Sequence, residues 1–290
     1  MREVLRAIAV VAEGGVGLER VAAALDLGGP VDMAAHVELF DFQLYPYASV
    51  YLGAEGMLGG EARDRVAGFW RALRLEPPTE PDHLASLLGL FVALQDRAET
   101  EPEPARHALF EQAARALLWE HLLSWLPLWI ERALERTDGP LRRWAELLLQ
   151  TMTALATALG PLSTLPAALA CAPTGLSAEE VGGEGLAAAL LAPVRTGAIV
   201  LREDLRRLAG DLDLGLRAGE RRFAMQSLLE QDRAGTLTWL AGFIARQGTR
   251  TKRWPAGWAP VTDFWSNRAC ESAALLETLA TVGTGVLPRA

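Results

Sequence analysis

The sequence is organised around a stretch that runs His36-Val-Glu-Leu-Phe-Asp-Phe-Gln-Leu-Tyr-Pro-Tyr-Ala-Ser-Val-Tyr-Leu52 and resumes as Glu80-Pro-Asp-His83 before the apolar run 84–94. It places aromatic rings, a hydroxyl, two acids and a histidine on a helix–loop–helix frame. The stretch contains neither a nucleophile paired with a base nor a cluster of metal ligands. Such a combination is typical of a binding surface rather than of an active site.

Apolar residues recur at helical spacing on both sides of this stretch. Near the N-terminus, for example, they fall at Val4, Leu5, Ile8, Val11 and Ala12, whereas alternating strand patterns are scarce. The sequence therefore predicts an all-α protein built as a helical bundle. A long helix is expected from His107 to Leu134, with a kink at Pro127 because proline removes a backbone donor.

Composition limits the kinds of partner. The chain has 290 residues, half of them hydrophobic, and 28 Lys and Arg against 36 Asp and Glu give a net charge of −8. This balance argues against broad binding to nucleic acids or anionic membranes and would suit a basic peptide. Cys171 and Cys270 form no disulfide framework, and the charged N-terminal run is too short for a secretory signal. We therefore expect a cytoplasmic protein without membrane insertion.

Two features punctuate the chain. Thr79 and Asp82 resemble a capping box, which would put Glu80 and Asp82 in the first turn of a helix, where the dipole favours carboxylates. A segment rich in glycine and proline, 160–185, indicates an internal boundary, and Ser177 to Glu180 gives a second capping-box match within it. We expect a core over residues 1–165 and a helical extension, packed on it, over 175–290.

Catalytic and DNA-binding alternatives have weaker support. His36, His83 and His121 could serve a helical metal-dependent enzyme, but no His-Glu-x-x-His or cysteine ligand pattern occurs. Ser49 lies outside a nucleophile elbow, and no phosphate-loop motif is present. The segment Arg202 to Arg222 has the rhythm of a helix-turn-helix, yet its arginines alternate with acids, which favours a solvated helix pair.

The tryptophans and their neighbours suggest a groove. His121 and Trp125 lie four residues apart on one helical face, and Trp70 belongs to an earlier amphipathic helix. Core packing is favoured for Trp129, whereas for Trp70, His121 and Trp125 core packing and groove lining both stay open. Nearby acids at Glu80 and Asp82 would give such a groove the charge that a basic-then-apolar peptide needs.

The order of these motifs resembles a known family. It consists of His36-x-x-Leu39-Phe40, Pro46-Tyr-Ala-Ser-Val-Tyr-Leu52, Glu80-Pro-Asp-His83 and His121-Leu-x-x-Trp125-Leu-Pro127. In this order it is similar to the TorD-type chaperones of molybdoenzyme maturation, which include the DmsD and NarJ branches. The resemblance covers roughly residues 1–165. His36 departs from the family, whose first motif usually begins with an aromatic residue, and the chain after about residue 175 extends beyond the family core.

This resemblance implies a function and a site. Such a cytoplasmic chaperone binds the twin-arginine signal peptide, the apo form, or both, of a molybdopterin-containing subunit, and it delays export until the cofactor is inserted. It would act as a monomer or homodimer, without catalysis, metal or a cofactor of its own, and without binding nucleic acid. The family's peptide pocket maps onto Glu80, Pro81, Asp82 and His83. By extension we assign peptide binding also to the following residues: Trp70, Tyr47, Ser49, His121 and Trp125.

Overall fold

The computed structural model describes residues 1–178 and 185–282. Within these ranges the chain forms helices and no strand, so the all-α prediction is confirmed. The chain divides into two compact units: unit 1 comprises residues 1–49, 58–171 and 255–261, and unit 2 comprises 50–57, 172–254 and 262–290. The predicted core and extension, and the packing of one on the other, stay predictions. The second capping-box match includes Glu179 and Glu180, which lie outside the described residues.

Up to residue 171 the α-helices follow one another closely. They are α1 Arg2–Glu13, α2 Leu18–Ala24, α3 Met33–Val37, α4 Ala48–Leu52, α5 Gly60–Ala72, α6 Leu84–Thr100, α7 Pro104–Ala116, α8 Leu126–Arg136, α9 Gly139–Leu159 and α10 Ala167–Ala170. Two π-helices, Glu38–Gln43 and Leu117–Leu122, continue α3 and α7. The predicted long helix from His107 to Leu134 is wrong, because the chain turns at 123–125 and Pro127 lies in the first turn of α8. Proline suits that position, where its missing N–H has no helical partner.

Buried aromatic rings hold the core of unit 1 together. Phe40 lies 5.4 Å from Trp144 and 5.9 Å from Trp129, measured between ring centroids. Both indole N–H groups donate to backbone carbonyls, Trp144 to Ile8 at 3.2 Å and Trp129 to Leu44 at 3.3 Å. The predicted core position of Trp129 is confirmed, since its side chain is fully buried. These contacts fix the first π-helix against α1, α8 and α9.

Unit 2 has its own hydrophobic core. Its helices are α11 Leu186–Leu190, α12 Pro193–Thr196, α13 Arg202–Asp211, α14 Arg221–Gln231, α15 Arg233–Thr251 and most of α16 Ala259–Val282. Leu228, Leu240 and Leu276 are among the buried residues that form this core. After α12 the chain turns at Gly197, whose φ is +75° and where a Cβ would lie 2.3 Å from the backbone nitrogen of Ala269. Only glycine permits that close approach to α16.

Membrane insertion is a separate question from fold. Among the described residues, no helix combines the length and the apolar character needed to span a bilayer.

Candidate functional site

A cavity of about 460 Å³ opens in unit 1, where the end of α1, the α3 segment with its π-helix, and the loops before α4 and α6 converge. Its apolar lining includes Val10, Met33, Phe40 and Pro46. Its polar lining consists of Glu13, His36, Asp41, Tyr47, Glu80, His83 and Ser86. We call it the motif cavity, because most of these residues come from the stretch that organises the sequence.

The motif cavity is negatively charged. Glu13, Asp41 and Glu80 are exposed at its edge, and no arginine or lysine stands among the described residues that line it. Met33 is 49% exposed, so an apolar surface adjoins the carboxylates. Carboxylates without a local counter-charge favour a cationic ligand, and guanidinium groups pair with them through two parallel hydrogen bonds.

Backbone pairing holds two motif segments side by side. Tyr47 and His83 form an isolated antiparallel bridge. Next to it, the Leu84 amide donates to the Pro46 carbonyl at 2.8 Å, and the Ala48 amide donates to the Asp82 carbonyl at 3.0 Å. This pairing explains why residues more than thirty positions apart in the sequence line one cavity.

Asp82 supports this arrangement from inside. Its side chain is buried, and Oδ2 accepts a 3.0 Å hydrogen bond from the Ser49 amide. The predicted capping box at Thr79 and Asp82 is wrong: α6 begins at Leu84, and its N-cap is His83, whose Nδ1 accepts from the Ala85 amide at 3.1 Å. A loop replaces the predicted first helical turn, because Asp82 bonds to the neighbouring segment instead of to its own helix.

His83, Tyr47 and Glu80 form the polar end of the motif cavity. The rings of Tyr47 and His83 meet edge-on with centroids 4.7 Å apart. Burial lowers the pKa of His83, although Glu80, Glu13 and Asp82 act in the opposite direction. Burial and a hydrogen bond with Glu80 raise the pKa of the Tyr47 hydroxyl. His83 is therefore neutral near pH 7, and because Nδ1 accepts a hydrogen bond, the proton resides on Nε2.

His36 stands where the sequence resemblance predicts an aromatic residue. Its ring lies 4.6 Å from that of Phe40, and its Nε2 lies 2.8 Å from the carbonyl oxygen of Val11. Gly14 has φ +76°, and a Cβ there would lie 2.8 Å from His36 Cε1. The imidazole thus packs as an aromatic ring and also ties α3 to the end of α1.

Six of the predicted site residues do not line the motif cavity. Ser49 is fully buried and its Oγ accepts from the Gly59 amide at 3.2 Å, while Pro81 is buried beside Asp82. Trp70 is half-buried, and its indole nitrogen lies 3.4 Å from the Pro81 carbonyl. His121 and Trp125 lie elsewhere in the core of unit 1, and Trp125 donates to the His121 carbonyl at 2.8 Å. Asp82, which is buried, is the sixth, and a role in peptide binding stays a prediction for all six.

His121 has an unusual electrostatic setting. It lies on the second π-helix and faces Phe69 at a centroid distance of 4.8 Å. Burial, with a smaller contribution from Arg65, lowers the pKa of His121 to about 4. The imidazole is therefore neutral in the folded protein at pH 7 and does not add a positive charge to the core.

The histidines do not assemble a metal site. Across the ranges 1–178 and 185–282, no group of three or more His, Cys, Asp or Glu side chains could hold a metal ion. His36 and His83 share the motif cavity, whereas His121 is absent from its lining. The metal-dependent alternative therefore lacks a ligand set in the described part of the chain.

Sequence reasoning missed Glu13, Met33 and Asp41. Asp41 lies within the motif stretch, and that location was the signal available from the sequence. In the structure the first π-helix carries it to the cavity. Glu13 precedes Gly14 at the end of α1, and no spacing rule connects that point of the chain to Glu80. Glu13 and Glu80 line the same cavity because α1 packs against α6.

Comparison with known proteins agrees with the motif reading. The family model described as the nitrate reductase delta subunit matches residues 22–131. The chaperone protein TorD of Vibrio vulnificus strain YJ016 is 38% identical over 97 residues, which are 31% of this chain and 44% of that relative. The TorD protein of strain CMCP6 matches to the same extent. No solved structure matches significantly.

These matches confirm, over the part of the chain that they cover, the resemblance to the TorD-type chaperone family. The chain spans less than half the length of the curated relatives that it matches. The family model's match includes the motif stretch, Glu80-Pro-Asp-His83 and His121, and of unit 2 it covers only residues 50–57.

Proposed function

We propose that this protein is a non-enzymatic chaperone of molybdoenzyme maturation that binds the twin-arginine signal peptide of a catalytic-subunit precursor in the motif cavity. In this role it delays export while the cofactor is inserted. The observation that carries the proposal is the set of three carboxylates, Glu13, Asp41 and Glu80, on one cavity built from the family motifs. The similarity to TorD chaperones supports the class of function.

The chemistry of the motif cavity fits such a peptide. Two adjacent arginines carry the positive charge that the carboxylates require, and each guanidinium can bind a carboxylate through two parallel hydrogen bonds. The apolar segment that follows the arginines would cover Met33, which is exposed at the rim. His83, neutral near pH 7, would leave the negative charge of the site undiminished.

Titration calorimetry with synthetic signal peptides tests the proposal. The peptides come from the molybdoenzyme precursors encoded in the same genome, and each is paired with a version in which both arginines are alanine. We expect one native peptide to bind and its alanine version to bind at least about tenfold more weakly, since each exposed ion pair contributes up to ~1 kcal/mol.

A charge-matched pair of triple variants locates the site. Glu13→Gln with Asp41→Asn and Glu80→Gln removes the carboxylates of the motif cavity, and we expect binding to weaken about tenfold or more. The control, Glu19→Gln with Glu61→Gln and Glu76→Gln, removes three exposed acids of unit 1 that do not line the cavity. Equal affinity in both variants would place the peptide elsewhere, and no binding by the wild-type protein to any signal peptide would overturn the proposal.

A further inference from the structure

Unit 2 contains a second cavity with the opposite charge. It measures about 290 Å³ and lies where the start of α13, the loop 216–219 and the start of α14 meet. Four arginines line it: Arg202, Arg206, Arg217 and Arg221. We call it the arginine pocket. The four arginines of the pocket lie within the segment Arg202 to Arg222. The alternating charges of this segment predict a solvated helix pair.

Three acids of this segment, Asp204, Asp211 and Glu203, lie outside the lining of the arginine pocket. Asp204 is buried, and its Oδ2 accepts a 2.8 Å hydrogen bond from the Leu201 amide. Asp211 accepts a 2.8 Å bond from the indole of Trp239 and lies 3.8 Å from Arg207, outside the pocket. Glu203 pairs with Arg206. No acid is found among the described residues that line the arginine pocket, so its positive charge is only partly neutralised.

Contacts with neighbouring groups order two of the arginines. Arg221 donates through Nη1 to the Val200 carbonyl at 3.0 Å, and the Arg217 guanidinium lies 5.8 Å from the ring centre of Phe223. Arg202 is exposed and makes no ion pair with any residue in the described ranges. Guanidinium groups ordered by a carbonyl or a ring are well suited to bind carboxylates, because less side-chain entropy is lost on binding.

Apolar side chains border the arginine pocket. Leu216 lines it and is 38% exposed, and Phe223, beneath Arg217, is 47% exposed. A small inorganic anion would satisfy the arginines but would leave both apolar side chains in water. A peptide that carries carboxylates next to an apolar residue would cover both, as central apolar contacts with charged surroundings do at protein interfaces.

We propose that the arginine pocket binds an acidic segment of a partner polypeptide, one in which carboxylate side chains alternate with apolar ones. With a net charge of −8 the chain as a whole does not attract such a segment, so binding would depend on the local positive charge of the pocket. This inference is independent of the signal-peptide proposal, because it concerns another cavity, another unit and a ligand of opposite charge.

Fluorescence anisotropy on the full chain tests the inference. The probe is a fluorescein-labelled peptide in which aspartate and leucine alternate, and its control carries asparagine in place of aspartate. We expect the aspartate peptide to bind, with an affinity that falls as salt rises, and the asparagine peptide to bind at least about tenfold more weakly.

Two double variants with the same change in charge localise the binding. Arg202→Gln with Arg217→Gln removes two arginines of the pocket, and we expect about a tenfold loss of affinity for the aspartate peptide. The control is Arg207→Gln with Arg222→Gln, which changes α13 and α14 at exposed positions outside the pocket lining. It should retain wild-type affinity, and circular dichroism should show the same helix content in both variants.

Several results would overturn the inference. The first is an equal loss of affinity for the aspartate peptide in both double variants, which would indicate a non-specific charge effect. The second is binding of the asparagine peptide as tightly as the aspartate peptide. Arginine-dependent binding of pyrophosphate or of duplex DNA, without binding of the aspartate peptide, would assign the pocket to another anion and reject the polypeptide ligand.

Discussion

The Ser49 amide donates a 3.0 Å hydrogen bond to the buried carboxylate of Asp82, and this bond joins the first turn of α4 to the loop before α6. Tyr47, which directly precedes α4, lines the motif cavity on one side, and Glu80 and His83, which precede α6, line it on the other. Asp82 is therefore a positioning residue. It does not line the cavity, but it holds Tyr47 near Glu80 and His83, which do.

Replacing Asp82 tests this positioning role. Asp82→Ala leaves a buried amide without its acceptor, and we expect it to lower the free energy of unfolding by about 1–3 kcal/mol. Asp82→Asn keeps a side-chain oxygen in the same place and should lower it by less than about 1 kcal/mol. Urea denaturation of the two variants measures the difference. Equal effects would show that the hydrogen bond to Ser49 contributes little.

Gly14 and Gly15 form a second matched pair. Both have positive φ, +76° and +94°, but only at Gly14 would a Cβ meet a neighbour, His36 Cε1 at 2.8 Å. The positive φ should make each alanine substitution cost about 1–3 kcal/mol, and Gly14→Ala should cost more because its ψ of −171° is nearly restricted to glycine and because a Cβ displaces His36. Thermal unfolding compares the two. If His36 causes the excess, combining Gly14→Ala with His36→Ala should remove it.

His121 makes stability depend on pH. Because burial lowers its pKa from the ordinary 6.5 to about 4, the unfolded chain binds a proton that the folded chain excludes between those values. The free energy of unfolding should therefore fall as the pH falls from about 6.5 to 4, with His121 contributing up to ~3 kcal/mol of the decrease. Urea denaturation of the wild type and of His121→Leu at several pH values measures it. The variant should show a shallower slope, and an unchanged slope would contradict the assignment to His121.

The fold class and part of the motif cavity follow from sequence alone. Helical periodicity indicates an all-α chain, and the motif order brings Tyr47, Glu80 and His83 into one site, as the structure does. Periodicity does not show which helices meet, so the contribution of Glu13 from α1 could not be predicted. Periodicity also does not show which group accepts the hydrogen bond of a buried indole N–H.

Trp125 illustrates this second gap. An indole N–H that needs a partner suggests a half-exposed position at a groove. In the structure that N–H donates to the His121 carbonyl one turn earlier, which allows the side chain to be fully buried. Carbonyl groups near a helix end are available as acceptors, but the sequence does not show that the helix ends there until the turn at 123–125 is known.

The two π-helices have a consequence for how this chain tolerates length changes. Their hydrogen bonds span five residues, as in Leu44 N to Leu39 O at 2.6 Å and Leu123 N to Leu118 O at 2.7 Å, so each carries more residues per turn than an α-helix would. Deleting one residue from Glu38–Gln43 would allow ordinary helical geometry there, and it would also shift every later residue of the segment by one position. Asp41 and Tyr47 could not then both keep their places. The extra residue of the first π-helix therefore lets the Asp41 carboxylate and the Tyr47 ring line the same cavity.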